Sequence, residues 1–555
     1  MFKSILLTVL LSVAGQNAFA QQPPVAGGQF QQIPPPPARE RSIPELRVER
    51  PDAPVAAEAD GTRILVNALH VTGTTVFSEA ELIAATDFQP GRELSLADLR
   101  GIAAKIADYY NRRGYFVAQA YVPAQDIGGG AVTIAVVEGH YGAINLNNQT
   151  NLSNGLARYV LSGVDSGDIV ENAPLERRLL LLSDIPGVRV KSTLAPGSLV
   201  GTSDLTVDVV PGQRVTGSIE ADNAGNRYTG AYRVGGTVSL NNALGYGDVA
   251  TLRVLTSFDG LYFFRASYQA LLGNVTLGVA YGNLHYKLGK EFKSLDARGS
   301  GDVISIYGSY PLIRSYNNSL YIVADFDAKS FRDRIRATSS ISDRRVRVGM
   351  IGLSGDEHDD FGGGGSTYYG VNGFFGNLDI RTPAVLAVDA LTARSDGNYY
   401  KLAFNVARLQ NVYGPLSLYA SVRGQIASRN LDTSEKMELG GAYAVRAYPE
   451  GESYGDEGYV ASLEARVLLP RFWSSMPGSM HVAGFVDTGK VKLNHTPWFP
   501  GDNHRNLSAA GVAFSWVDDN NFILKASYAH RIGHEAATSG PDHASRFWIQ
   551  LAKLF

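Results

Sequence analysis

One arginine and two carboxylates are the residues of this chain best spaced to act together. The stretch from Lys436 to Gly489 opens as KMELGGAYAVRAYPEGESYGDEG, a polar, Gly-rich loop holding Arg446 between Val445 and Ala447-Tyr448. It runs into two alternating segments, YVASLEARVLLP and MHVAGFVDTGKV. In the first, Tyr459, Ala461, Leu463, Ala465 and Val467 share one face, and Ser462, Glu464 and Arg466 the other. In the second, Val482, Gly484 and Val486 oppose His481, Ala483, Phe485 and Asp487. Successive side chains of a strand point to opposite faces. Glu464 and Asp487 therefore turn away from the apolar stripes. If the two segments are neighbouring strands of a barrel, both carboxylates face its lumen beside a loop with one Arg. This parity predicts that Arg446 folds inward and pairs with them. The chemistry is ionic, either a fixed brace or a lock that shifts between states.

Other constellations fail on spacing. Gly484 to Lys490 spells G-x-x-x-x-G-K, but Val491 stands where a phosphate loop needs Ser or Thr, and no helix follows. His530 and His534 are spaced for metal only on a helix, whereas the surrounding pattern is strand running into loop. No G-x-S-x-G occurs. Asp356, Glu357, Asp359 and Asp360 read as a solvated acidic loop in preference to a weak calcium site. Neither catalytic nor metal residues are expected, and no cofactor.

The elements that position Arg446 follow from composition and periodicity. The chain has 555 residues, with 60 Gly, 28 Tyr, 23 Phe, no Cys and a formal net charge of -3. Near-neutral charge gives no reason to expect nucleic acid as a partner. Zero Cys excludes disulfides and thiol chemistry. Residues 1–20 read as a signal peptide: Lys3, an apolar run from Ile5 to Ala14, and Ala18-Phe19-Ala20 before a cleavage point. No later run reaches about 18 apolar residues, so no transmembrane helix is expected. An exported chain of this kind is either soluble or an outer-membrane barrel.

Residues 21–60 are Pro- and Gln-rich and are expected to be an extended, partly disordered leader. Residues 61–139 read as a compact unit in the order β-α-α-β-β. Ser78 opens a short helix and Ser95 caps a longer one, on which Leu99, Ile102, Ala103, Ile106, Tyr109 and Tyr110 form a stripe. Residues 140–212 repeat that order more loosely, an internal repeat. From residue 213 to 555 the period is two. Tyr262, Phe264, Ala266 and Tyr268 alternate with Phe263, Arg265 and Ser267, for example. About sixteen such segments of ~10 residues suit tilted membrane strands. Residues 436–457 remain as a loop, and 355–366 (GDEHDDFGGGGS) reads as another long polar loop. The chain ends in FWIQLAKLF, in which Lys553 interrupts the apolar parity and snorkels. The fold class is therefore mainly β with α+β units ahead of a transmembrane barrel.

Two such units before about sixteen strands, with the loop LGGAYAVRAYPEGE, resemble the two-partner-secretion transporters of the barrel-assembly insertase superfamily. The small units resemble POTRA domains. The family's Val-Arg-Gly-aromatic, SLE and F-x-D-x-G motifs correspond here to Val445-Arg446-Ala447-Tyr448, Ser462-Leu463-Glu464 and Phe485-Val486-Asp487-Thr488-Gly489. Ala447 replaces the usual Gly, which bears on the backbone angle at the loop tip. Many relatives begin with a pore-plugging helix, but this leader shows no clear amphipathic stretch outside about 38–48. The resemblance implies an outer-membrane protein with its POTRA domains in the periplasm. It would thread one large, unfolded exoprotein with an N-terminal secretion domain to the cell surface. Further implied partners are outer-membrane lipid and, during biogenesis, the barrel-assembly machinery, with the chain itself a monomer. Client contact falls to the helix bearing Leu99, Ile102, Ile106 and Tyr109 or to the strand edge beside it, although the stripe itself reads as core. An insertase of other barrels is the alternative, and a passive porin a weaker third.

Overall fold

The computed structural model describes residues 23–37, 44–49, 63–471, 477–518 and 521–555. The expected signal peptide, residues 21–22, 38–43 and 50–60 of the leader, and residues 61–62 lie outside them. The described part of the leader departs from the extended reading. Ala26–Gln31 is a helix, and Glu45–Val48 is a strand pairing in parallel with Val188–Pro196. Two glycines in six residues disfavour a helix in isolation; this one forms because its surroundings hold it, as described below.

In the first α+β unit Ser95 caps the helix Leu96–Arg112 in a full capping box with Asp98. Ser78 accepts from Glu81 N at 3.3 Å and opens the helix Glu79–Ala84. Ala68–Thr72, Ala131–Val137 and Gln119–Tyr121 form a sheet in that order, and Arg63–Val66 pairs separately with Arg92–Ser95. Leu99, Ala103, Ile106, Tyr109 and Tyr110 are buried between helix and sheet with Val132, Ile134 and Val136. In the second unit Val188–Pro196, Thr202–Pro211 and His140–Asn148 form the sheet, and the leader strand adds to its edge. Helices Asn154–Leu161 and Asn172–Ser183 cover one face through Leu175, Leu179 and Leu182.

Residues from Val215 onward form a closed barrel of sixteen strands, every neighbouring pair antiparallel, with Val215–Asp222 closing onto Ser545–Leu554. The parity is as expected. Tyr262, Ile304, Ile351 and Val486 are exposed on the outer wall, while Phe263, Phe331, Val346 and Asp487 are buried inside. Several strands exceed the expected length, reaching 20 residues in Ser340–Asp359, because pairing with both neighbours runs along nearly all of it. For that reason 355–366 is not a long loop. Most of it belongs to two strands, leaving a turn around Phe361–Gly363, and Asp359 pairs with Arg408 at 2.7 Å. Among the described residues, no helix is long and apolar enough to cross a membrane.

The second α+β unit is bolted to one end of the barrel. Arg314 grips Asp184 with two bonds of 2.7 and 2.8 Å, Arg177 donates to the carbonyls of Pro311 and Leu312, and Asn151 meets the turn at Asn242. These contacts define the end of the cylinder from which the chain enters.

Candidate functional site: the loop, the plug and the pore

Residues 428–456 leave the far end of the barrel and fold back inside it. Room for them comes from small inward side chains: Ala483, Ala509 and Ala529 are buried on the wall facing the loop. Val445, Ala447 and Tyr448 are fully buried against Phe485, Leu507 and Val460. At about 25 cal/mol per Å² of apolar surface, side chains of this size contribute roughly 1.5–3 kcal/mol each when removed from water. Ala447 has no left-handed backbone angle, so the tip needs no glycine there.

Arg446 does what parity predicted. Its Nε and Nη2 donate to the two oxygens of Asp487, each at 2.8 Å, and its backbone N donates to the same carboxylate at 3.2 Å. Ser462, directly opposite Asp487 in register, donates to Asp487 at 2.8 Å and accepts from Arg446 at 3.1 Å. Glu464 Oε1 lies 2.9 Å from Arg446 Nη2, and its other oxygen accepts from Arg466 at 2.8 Å. The guanidinium sits 3.3 Å from the centre of the Phe485 ring, an added cation–π contact. Asp487 is wholly excluded from solvent, so its charge depends on these donors. Trp548, near the chain's end, donates to the carbonyl of Arg446 at 2.7 Å, and Tyr448 donates to the carbonyl of Glu535 at 3.0 Å. Glu452 fixes the loop's far limb, accepting from Thr538 and Ser539 and pairing with Arg505 at 2.7 Å.

The leader helix Ala26–Gln31 occupies the other side of the lumen. Ala26 N donates to Asp333 at 3.0 Å, Thr229 donates to Gln29 at 2.7 Å, and Arg233 donates to the carbonyl of Gln32 at 2.7 Å. Gln31 donates to the Lys436 carbonyl and Gln32 to the Tyr454 hydroxyl, at 2.8 and 2.7 Å, so helix and loop hold each other. Phe30 packs edge-on against Phe263 and Phe331. Gly27 is essential to the approach: a Cβ there would stand 2.9 Å from that of Ser434. Around the helix the wall is laced with buried ion pairs. Arg344 bridges Asp333 and Asp432, and Glu435 takes both Lys329 and Lys401. Sequence reading missed this plug and its anchors Asp432 and Glu435. The available signals were a Gly pair ahead of a lone Phe and a polar run before the loop, neither periodic.

Of the residues assigned to client contact, Leu99, Ile106 and Tyr109 lie in the first unit's core and Ile102 is half-buried against it. Burial removes them from a direct binding role. The strand edge beside their helix, Gln119–Tyr121, carries Tyr121 exposed. Gly484 to Lys490 is continuous strand, and among the described residues no cluster of three or more His, Cys, Asp or Glu could hold a metal.

Residues 201–515 match the family described as haemolysin secretion/activation protein ShlB/FhaC/HecB, and residues 64–139 match the ShlB-type POTRA domain. The chain belongs to this haemolysin secretion/activation family. It is an outer-membrane two-partner-secretion transporter with its POTRA domains in the periplasm. The heme/hemopexin transporter protein HuxB of Haemophilus influenzae (strain 86-028NP) is 29% identical over 474 residues, covering 84% of this chain and 82% of that protein. The outer membrane transporter CdiB of Dickeya dadantii (strain 3937) is 24% identical, covering 73% of each. Among solved structures, CdiB from Escherichia coli superposes with a TM-score of 0.68 at 19% identity, covering 91% and 92% of the two chains. BamA from Haemophilus ducreyi, lacking POTRA domains 1–3, reaches 0.53 at 15% identity, a likeness of fold alone. The matches favour the secretion transporter over the insertase, and the family is one of transporters.

Proposed function

We propose that this chain exports one large partner exoprotein, unfolded, through the barrel lumen, and that Arg446 is the catch holding the lumen shut between cycles. The observation that carries this reading is the double closure of the pore by the inward loop and the leader helix, joined through Gln31–Lys436 and Gln32–Tyr454. Inside the lumen both obstacles are held by hydrogen bonds and ion pairs, so the helix can leave, and the loop, tethered at both ends to neighbouring strands, can swing out, without breaking the cylinder. The client, carrying an N-terminal secretion domain, adds a strand at the exposed edge Gln119–Tyr121 of the first POTRA domain, where main-chain bonds recognise extended chain without demanding a sequence. Folding of the client outside pulls it through, so the protein works as a monomer without nucleotide, cofactor or covalent chemistry. Outer-membrane lipid surrounds it, and the barrel-assembly machinery inserts it.

The test is deletion of the chain followed by mass spectrometry of culture supernatants. Loss of one large exoprotein, restored by the wild-type chain and not by Arg446→Ala, is the expected result. An unchanged secretome, or a general loss of outer-membrane proteins, would overturn the export reading.

A further inference from the structure

On the outer wall, the ends of three neighbouring strands farthest from the POTRA domains carry a row of like charges, and a fourth strand flanks them. Strands Val275–Lys287, Ala297–Arg314, Asn318–Ile335 and Ser340–Asp359 are neighbours, and their register sets Lys287 opposite Arg298 and Arg298 opposite Arg334. Directly opposed like charges destabilise a sheet. The row below holds Tyr262, His285, Ser300 and Arg332. All of these side chains share the outward parity of Val279, Tyr281, Ile304 and Phe326, which are exposed on the lipid-facing wall. Tyr262 is 57% exposed, in the position of an interfacial aromatic. The cations thus begin where the apolar band ends.

Their countercharge is incomplete. Asp296 pairs with Arg298 at 2.6 Å and with Arg336 at 3.4 Å, and Asp343 pairs with Arg332 at 2.8 Å. Among the described residues, no carboxylate lies within 4 Å of Lys287 or Arg334. The Nε of Arg298 is buried without a hydrogen-bond partner. Lys287, Arg298, Arg332 and Arg334 line one shallow groove of about 520 Å³ with Tyr262 and His285, and Asp259 is the carboxylate at its margin.

We propose that this groove binds the phosphorylated headgroup of an outer-leaflet lipid, with phosphate across Lys287, Arg298 and Arg334 and acyl chains along Val279, Ile304 and Phe326. Guanidinium forks match phosphate geometry, and a phosphate supplies the negative charge that the row lacks. Continuity with the apolar wall selects a lipid over a free ion, because one molecule meets both surfaces. The site is independent of the export reading and needs only that the barrel lie in an outer membrane.

The purified full-length protein in detergent is titrated with lipid A, with dephosphorylated lipid A, and with inorganic phosphate, and bound lipid is read by native mass spectrometry. Lipid A is expected to bind at least about tenfold more tightly than its dephosphorylated form, and its binding should weaken at high salt. The triple variant K287Q/R298Q/R334Q should lose that preference, and millimolar phosphate should not displace the lipid. Equal binding of the two lipids, wild-type preference in the triple variant, or full displacement by phosphate would each overturn the proposal. Should the variant fail to fold, the two-lipid comparison on wild-type protein still decides.

Discussion

Arg446 reaches Asp487 because the wall opposite it is built from alanines, whereas the leader helix reaches Ser434 because Gly27 has no side chain at all. One side of the lumen is closed by a covalently continuous loop whose ion pair is excluded from water. The other is closed by a six-residue helix whose bonds are single, mostly neutral and distributed over loop and wall. The loop side is anchored by buried ion pairs, so a single substitution there should disable it. The plug side is held by weaker single bonds, so it can leave and return. This contrast suits a pore in which the leader moves first and the loop holds the shape of the empty cylinder.

The largest effect should come from Asp487→Ala, which takes from Arg446 its two-pronged partner and leaves the buried guanidinium with Glu464 as its one carboxylate. Breaking a buried pair from one side costs about 3–5 kcal/mol. The folded barrel should unfold at markedly lower denaturant, and secretion should fail. Wild-type stability in a urea titration of the reconstituted protein would show that the two closures do not differ in kind. Arg446→Lys keeps the charge but loses the two-pronged grip on Asp487. An intermediate loss of about 1–3 kcal/mol is expected, and a double-mutant cycle with Asp487→Ala should give strong coupling.

Gly27→Leu attacks the other closure. Its side chain cannot enter against Ser434, so the helix should leave the lumen and raise single-channel conductance, while the urea midpoint stays within about 0.5 kcal/mol of wild type. A destabilised barrel with unchanged conductance would reverse the assignment of the two roles.

The smallest effect concerns pH. Glu438 and Glu450 of the loop lie close together, Glu450 buried and Glu438 partly buried. Burial pushes the Glu450 carboxyl up to about 7, with Arg233 opposing and Asp222 adding to the shift; burial and then the charge of Glu450 push Glu438 up as well. A raised carboxylate holds its proton in the folded loop where the unfolded chain, with a value near 4.3, has released it. Loop seating should therefore weaken as pH rises from about 4.3 through 7. Conductance should be higher at pH 8 than at pH 5, and Glu450→Gln should flatten that dependence. A pH-independent wild-type channel would remove the carboxyl pair from the account.

The barrel and the Arg446 contact were legible because both rest on parity, a local property repeated along every strand. Ser462, Glu464 and Asp487 had to share a face once their segments were strands, and the adjoining loop offered them Arg446. The two helix caps in the first unit were legible for the same reason, each bond spanning three residues. Position 355–366 misled because acidic and Gly-rich composition suggests solvent, while its ends pair with neighbours that sequence does not name. The stripe Leu99 to Tyr109 read as core in preference to client surface, and its residues lie in the core.

By itself, then, the amino-acid order determined which face of each strand meets lipid, how many strands there are, and that one loop arginine has acidic counterparts in the wall. Only the tertiary structure decided that AGGQFQ is a helix and that Glu45–Val48 extends the second unit's sheet. Their partners stand far away along the chain: Asp333 and Ser434 for the helix, and Lys191 to Leu194 for the strand. A six-residue segment with two glycines has no intrinsic preference strong enough to announce its shape. Its conformation is set by the cavity it fills, and that cavity exists only when the cylinder has closed.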